Sequence, residues 1–447
     1  IKSQEIDKNY TLVDNKQTQL HSKLLFKWSR YNYIKKVKDD EYLLFNCSTS
    51  EHTYIIKEIK ELIETNINFV DKIKLMHPKL YYFLRKKKFI VSVDSDDIKN
   101  AIKRIKDDLN SPDYFELFIN PTLDCNLRCW YCYETLKKNS CINDETLHAI
   151  MSFIKNKVES LKLKEITISF FGGEPLLRFN KIILPIIEFT QNVCAEQKKK
   201  CYFCFTTNGV LLSQKIVNTL YSIEAYCVFQ VPFDGNRTYH DKIKKLTNGE
   251  GTFDKVIRNV MHALSKGFKF IIRCNYTPEN YKSFEDLISI FNEYAKECID
   301  YGLVTFSYHK VWQANQTKEM KKIVAKYEKS TTLINTSFNH CYADKENSVV
   351  INYNGDVYKC TARDFSPELR EGFLGIDGEI IFNQRYHTRM NSRFYNKHCL
   401  ECSIFPICNV CSQTKISLQE ENLQCILSYS KKDKEHILLK KIEIETE

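Results

Sequence analysis

From Pro112 onward the sequence alternates short β-branched and aromatic runs with longer helical patterns, and no other feature narrows the fold as far. The predicted strands are Tyr114–Ile119, Ile166–Phe171, Cys201–Thr206, Tyr226–Val231, Phe268–Asn275 and Leu303–Tyr308. The helical patterns between them are Asp144–Leu161, Lys181–Gln197, Gln214–Ser222, Thr252–Lys266 and Tyr281–Cys298. Asn143 or Asp144 caps the first, and Thr252 starts the fourth after Gly249-Glu-Gly251. Strands joined by helical crossovers pair in parallel. Six such units fall short of the eight that close a full barrel. The expectation is an α/β core, a partial (β/α)6 TIM-like barrel, with functional groups at the carboxyl ends of its strands.

The expected division is 1–112, 113–312 and 313–447. In the first part, Tyr33–Val37 and Glu41–Phe45 read as two strands around Lys38-Asp-Asp, followed by a helical pattern from Thr53 to Thr65, a helix over Lys79–Lys86 and a strand over Phe89–Val93. Such a small α+β domain is winged-helix-like, which suits a peptide-binding module; a structural extension of the barrel is the alternative. The last part opens with a charged helix, Lys318–Lys329, continues through a cysteine-dense segment from Cys341 to Cys425, and closes on a Lys/Glu-rich helix.

Composition narrows the classes. No run of about 18 apolar residues occurs, so no membrane partner is expected. The first residues, Ile1-Lys-Ser-Gln-Glu-Ile6, lack the apolar core of a secretory signal. Eighteen cysteines in 447 residues without such a signal point to metal or redox chemistry in a reducing, cytoplasmic setting. The net charge of +10 is spread over many lysines, with runs at Lys86–Lys88 and Lys198–Lys200. A nucleic-acid reading of such runs would need aromatic interleaving or a known module; they read as a solvated lysine-rich surface, and no nucleic-acid partner is expected.

The loop after the first barrel strand, Cys125-Asn-Leu-Arg-Cys129-Trp-Tyr131-Cys132, brings three thiols close in sequence. Three thiolates leave a four-iron cluster one ligand short, and the open iron can bind a small molecule. This loop resembles that of the radical S-adenosylmethionine (radical SAM) enzymes, which carry the same spacing with an aromatic residue before the third Cys. The resemblance implies a [4Fe–4S] cluster on Cys125, Cys129 and Cys132. It also implies that SAM binds the open iron and is cleaved to a 5′-deoxyadenosyl radical that takes a hydrogen from substrate.

Further motifs extend the resemblance. Phe171-Gly172-Gly173-Glu174-Pro175 ends the second strand and matches the family's Gly-Gly-Glu-Pro segment, which implies contact with the methionine amino group of SAM. Thr206-Thr207-Asn208-Gly209, Phe233-Asp234-Gly235 and Arg273-Cys-Asn275 end the next three strands, at positions that line the SAM pocket in the family. Arg273 is suited to the SAM carboxylate. Pro232 stands where many relatives have Ser, so one carboxylate contact of the family is missing here.

The C-terminal cysteines run Cys341, Cys360, Cys399-x2-Cys402-x5-Cys408-x2-Cys411 and Cys425. Asn354-Gly355-Asp356 predicts a hairpin turn between Ser348–Tyr353 and Val357–Cys360, drawing Cys341 towards Cys360. A zinc site uses the same Cys-x2-Cys pairs. The order resembles the SPASM extension of peptide-modifying radical SAM enzymes, which implies two auxiliary [4Fe–4S] clusters. The farther would sit on Cys399, Cys402, Cys408 and Cys425, the nearer on Cys341, Cys360 and Cys411. The last Cys-x2-Cys departs from the family's usual spacing of three, and no Cys lies within Asn335 to His340 to complete the nearer set. The other cysteines, Cys47, Cys141, Cys194, Cys201, Cys204, Cys227, Cys274 and Cys298, read as small buried hydrophobes.

Together these resemblances imply an oxidoreductase acting on a ribosomally made precursor peptide with a leader sequence, installing a thioether or carbon–carbon cross-link. Its cofactors are SAM and three [4Fe–4S] clusters, with flavodoxin or ferredoxin as electron donor. One rival is an anaerobic sulfatase maturase, whose relatives carry an Asp after the second SPASM Cys; here Thr361 follows Cys360, and Asp364 is the nearest candidate base. Another is a non-enzymatic iron–sulfur scaffold. Anaerobic reconstitution is expected to give about ten to twelve iron atoms per chain by elemental analysis; a stable content near four would remove the auxiliary clusters.

Overall fold

The computed structural model describes residues 25–331, 341–362, 364–417 and 425–446; the stretch Asn335 to His340 lies outside them. By packing, these residues form two compact units, one of 25–108 with 392–446 and the other of 109–331 with 341–391. Among the described residues no helix is long and apolar enough to cross a membrane.

In the first unit β1 (Phe26–Trp28) pairs antiparallel with β5 (Ile90–Ser92), and β2 (Asn32–Lys36), β3 (Glu41–Asn46) and β4 (His52–Ile56) form an antiparallel meander. The helical pattern expected from Thr53 is corrected here: the helix begins only at Lys57. Thr53-Tyr54-Ile55-Ile56 is β-branched and aromatic, and β3 offers it a partner edge, so it pairs as a strand. Leu44, Ile55, Ile59, Ile63, Ile73 and Leu84 close a small core with the helices Lys57–Thr65, Asp71–Met76 and Pro78–Lys86.

The same unit takes in the end of the chain. The Cys47 thiol donates to the Ser403 carbonyl at 3.2 Å, the Tyr33 hydroxyl to Glu435 at 2.6 Å, and the Lys106 ammonium lies 5.2 Å from the Phe394 ring centroid. The closing helix is Lys431–Thr446.

In the second unit the strands are β6 (Tyr114–Ile119), β7 (Glu165–Phe170), β8 (Lys200–Thr206), β9 (Cys227–Phe233), β10 (Lys269–Tyr276) and β11 (Val304–Lys310). They pair in parallel in sequence order, as helical crossovers require. The sheet then grows in the other direction. β12 (Ser348–Ile351) adds to β6 in parallel, and β13 (Asp356–Tyr358), β14 (Gly372–Leu374) and β15 (Ile380–Phe382) follow antiparallel. Gly355, at φ +82°, makes the expected turn between β12 and β13. Pairing of the hairpin with β6 has no signal in the sequence, because Ser348–Ile351 alone does not say which edge it will meet.

Each barrel strand has two unlike faces. On β11, Val304, Phe306 and Tyr308 are buried; Phe306 meets Phe291 and Tyr308 meets Phe284 and Tyr327, all on flanking helices. Thr305, Ser307 and His309 point the other way and are half-buried. Under the helices an aromatic ladder crosses the sheet, Phe170 to Phe205 at 5.1 Å, Phe205 to Phe229 at 4.9 Å and Phe229 to Phe270 at 5.3 Å between centroids. Phe229 is fully buried at its middle. Phe229→Ala is therefore expected to destabilise the barrel by about 3–5 kcal/mol, read as a fall in urea midpoint with unchanged slope.

Candidate functional site

β6 ends at Ile119 and delivers the chain to the cysteine loop. Thr122 Oγ1 donates to the Ser140 carbonyl at 2.7 Å, and Ser140 Oγ accepts from Leu123 N at 2.8 Å, so the two ends of the loop are tied. Asp124 accepts from Cys125 N at 2.9 Å and from Asn139 N at 3.1 Å. The three thiols gather within this frame. Burial pushes the Cys125 thiol up to about 12, and the charges of Glu174, Cys129 and Cys132 add to it. Thiols held neutral in this way ionise together with metal binding.

The turn after β7 packs against the loop. Gly172 has φ +100°, and a Cβ there would lie 2.4 Å from the Thr122 carbonyl oxygen. A Cβ on Gly173 would lie 2.2 Å from the Asp124 carbonyl oxygen. With no side chains in the way, Gly173 N donates to Thr122 O at 3.1 Å and Glu174 N to Asp124 O at 2.8 Å. Pro175 then opens a short 3-10 turn. The Glu174 carboxylate is buried and accepts from Leu176 N at 3.1 Å, Thr207 Oγ1 at 2.8 Å and Asn208 N at 2.8 Å. Burial raises its pKa to about 7 against these donors. Asn208 Nδ2 reaches back to Asn126 Oδ1 at 2.8 Å. The loop, the Gly-Gly-Glu-Pro turn and the Thr207-Asn208 turn are thus one hydrogen-bonded body.

A second network lies on the other side of the loop. Asp234 accepts from the Tyr131 hydroxyl at 2.6 Å and from Lys244, with both Asp234 and Lys244 buried. Lys244 also donates to the Tyr131 oxygen at 2.8 Å, and Asn275 Nδ2 does so at 3.2 Å. Burial works against the Lys244 charge, but Asp234, Tyr131 and Cys129 together more than offset it and the ammonium stays charged well above its usual range. That charge draws the Cys129 thiol down against the larger effect of burial. Sequence reasoning singled out Tyr131, Asp234 and Asn275 and missed Lys244, which sits in a lysine-rich stretch that reads as solvated surface. Arg273 Nε donates to Asn275 Oδ1 at 3.1 Å, and its guanidinium feels both Tyr131 and Tyr133.

Glu134 was also missed. Both of its carboxylate oxygens are buried with no hydrogen-bond partner among the described residues, and burial, aided by Asp364, pushes its pKa up to about 9. Asp364, the candidate base, accepts from Thr135 Oγ1 at 2.6 Å, which places it beside the end of the cysteine loop. Cys341 and Cys360 both lie close to Tyr342, and Cys360 and Cys132 both lie close to Tyr133.

In the other unit Cys399, Cys402, Cys408 and Cys425 line one pocket together with Phe405, Lys415 and Leu427. Burial raises the Cys399 thiol and Lys415 draws it down. Cys411 does not line this pocket; its thiol meets Thr414 Oγ1 at 3.2 Å. Among the described residues no three of His, Cys, Asp and Glu converge tightly enough for a single metal ion. A cubane, which takes each thiolate on a different iron, asks for wider spacing than a mononuclear zinc site. The donor set, the side-chain-free cradle at Gly172–Gly173 and the orphaned Glu134 oxygens fit a group seated on the cysteine loop.

Residues 119–290 match the Radical SAM superfamily. The chain is 23% identical over 332 residues to GTP 3′,8-cyclase of Clostridium perfringens, covering 72% of this chain and 92% of that one. It is 23% identical over 358 residues to a serine-type anaerobic sulfatase-maturating enzyme of Bacteroides thetaiotaomicron, covering 64% and 79%. It shares the fold of Streptococcus suis SuiB bound to precursor peptide SuiA, with a TM-score of 0.51, 15% identity, and coverage of 91% of this chain and 100% of that one.

The buried ion pair beside the loop yields a test that needs no cofactor. Lys244→Met strands the Asp234 carboxylate and is expected to cost about 3–5 kcal/mol, while Asp234→Asn combined with Lys244→Met restores most of that loss. Thermal unfolding of the two variants against the native chain checks it.

Proposed function

Because this chain carries a radical SAM domain over residues 119–290, we propose that it is a peptide maturase, which installs a thioether or carbon–carbon cross-link in a ribosomally made precursor. The observation that carries this reading is the pocket lined by Cys399, Cys402, Cys408 and Cys425, the set that the SPASM resemblance assigns to one auxiliary cluster. The N-terminal module, residues 25–108, shares a packed unit with that pocket and is the element we assign to the leader of the peptide.

In this reading Cys125, Cys129 and Cys132 hold a [4Fe–4S] cluster, with SAM held by Gly172, Gly173, Glu174, Pro175, Thr207, Asn208, Arg273 and Asn275. When bound, that pair supplies a 5′-deoxyadenosyl radical able to take a hydrogen from a substrate carbon. Cys341 and Cys360 belong to a second auxiliary site, and an external flavodoxin or ferredoxin supplies electrons. The protein's own part is to orient and exclude. Glu174 fixes the turns around the loop, Tyr131 is held by Asp234 and Lys244, and Asp364, beside Thr135, stands ready to take a proton.

A second reading, formylglycine formation in a sulfatase, draws on the similarity to the serine-type sulfatase-maturating enzyme. Thr361 in place of an Asp after Cys360 counts against it.

Co-expression with a short Cys- or aromatic-rich peptide encoded beside this chain is the decisive experiment. The expected product is lighter by a pair of hydrogens per link, does not react with an aldehyde reagent, and is not formed when Cys125, Cys129 and Cys132 are replaced by Ala. An aldehyde in the product, or an unmodified peptide with a sulfatase modified instead, would decide for the rival.

A further inference from the structure

Arg273 has unlike neighbours on its two sides. In the parallel register it lies opposite Pro232 on β9 and opposite Ser307 on β11, and Asn275 lies opposite His309. Paired positions on parallel strands project to the same face. The other face of β10 and β11 carries buried Ile272, Cys274, Phe306 and Tyr308. Arg273, Asn275, Ser307 and His309 therefore share the inner face of the barrel. Ser307 Oγ and His309 Nε2 are 2.9 Å apart, and Arg273 spends its Nε on Asn275 Oδ1 at 3.1 Å. Its two terminal nitrogens donate to no described side chain and are left for a ligand.

The inner-face position puts this guanidinium close to Tyr131 and Tyr133 of the cysteine loop. Burial and the Arg273 charge lower the pKa of His309 to about 4, so its imidazole is neutral near pH 7 and offers one donor and one acceptor. A guanidinium with a neighbouring hydroxyl is a seat for a carboxylate.

We propose that Ser307 and His309 complete, with Arg273, a seat for the amino-acid carboxylate of SAM, supplying from β11 the contact that Pro232 removes from β9. This rests on the reading that SAM binds on the cysteine loop. In the occupied seat His309 Nε2–H donates to Ser307 Oγ, and the Ser307 hydroxyl turns its own hydrogen to the carboxylate beside the Arg273 fork. Ser307 touches the ligand; His309 is a positioning residue that fixes which way the hydroxyl points.

Equilibrium binding of SAM and of decarboxylated SAM to the reconstituted full chain separates the outcomes. Ser307→Ala is expected to weaken SAM about tenfold and to leave decarboxylated SAM within about twofold, the size of one hydrogen bond to an anion. Ser307→Thr, which keeps the hydroxyl, is expected to bind SAM as the native chain does. His309→Phe is expected to lose part of the affinity, and His309→Gln, whose amide can donate from a similar position, to regain it. Equal losses for both ligands, or unchanged SAM affinity in Ser307→Ala, would overturn the seat. A native chain that binds neither ligand would overturn the reading it rests on, and the seat with it.

Discussion

The cysteine loop can lie against the second barrel strand only because residues 172 and 173 have no side chains. A Cβ at either position would meet a backbone carbonyl of the loop well inside van der Waals contact, and backbone cannot step aside as a flexible side chain can. The approach lets the loop carbonyls of Thr122 and Asp124 accept from Gly173 and Glu174. It also sinks the Glu174 carboxylate where it can collect Leu176, Thr207 and Asn208. The ends of three strands are joined through one residue, Glu174, whose backbone N–H reaches the loop after β6 and whose carboxylate reaches the turn after β8. The frame around the thiols is closed by the protein's own hydrogen bonds.

On the opposite flank the Lys244–Asp234 pair does a different job. A buried ion pair adds little net stability, because both charges have left water. Its effect is local and electrical. The pair fixes the Tyr131 hydroxyl between Asp234, Lys244 and Asn275 and places a cation near Cys129. Thiolates gathered on a cluster accumulate negative charge, and a cation that cannot drift away is worth more in a dry site than one on the surface.

Much of this was legible before any coordinates. Six barrel strands stood out because each is a short apolar run bounded by turn residues, and the cysteine loop because thiol spacing is a chemical constraint that few other functions impose. What escaped detection shares a cause. Thr53–Ile56 reads as the start of a helix until β3 is there to pair with it. Lys244 is one lysine among Lys242, Lys244 and Lys245, and only the tertiary fold decides that it alone turns inward to meet Asp234. The addition of β12 to β6 joins residues more than two hundred positions apart. Local patterning reports propensity and periodicity; which edge meets which, and which charge is buried, are set by contacts distant in the chain.

The open barrel explains why so much polarity faces inward. A closed eight-stranded barrel fills its interior with layers of apolar side chains. Six strands leave an inner face that carries Glu116, Thr167, Ser169, Cys204, Gln230, Arg273 and His309, while the outer face carries the aromatic ladder and the helices. Glu116 and Ser169 already meet across β6 and β7 at 3.3 Å. The apolar contacts that hold the sheet lie on the helix side, so the inner face is free to change its chemistry without loss of the core. Arg273 sits where that freedom meets the cysteine loop. With Pro232 on one side and Ser307 on the other, its inner-face neighbourhood is lopsided. Of its two register neighbours, only Ser307 on β11 brings a hydroxyl to that face.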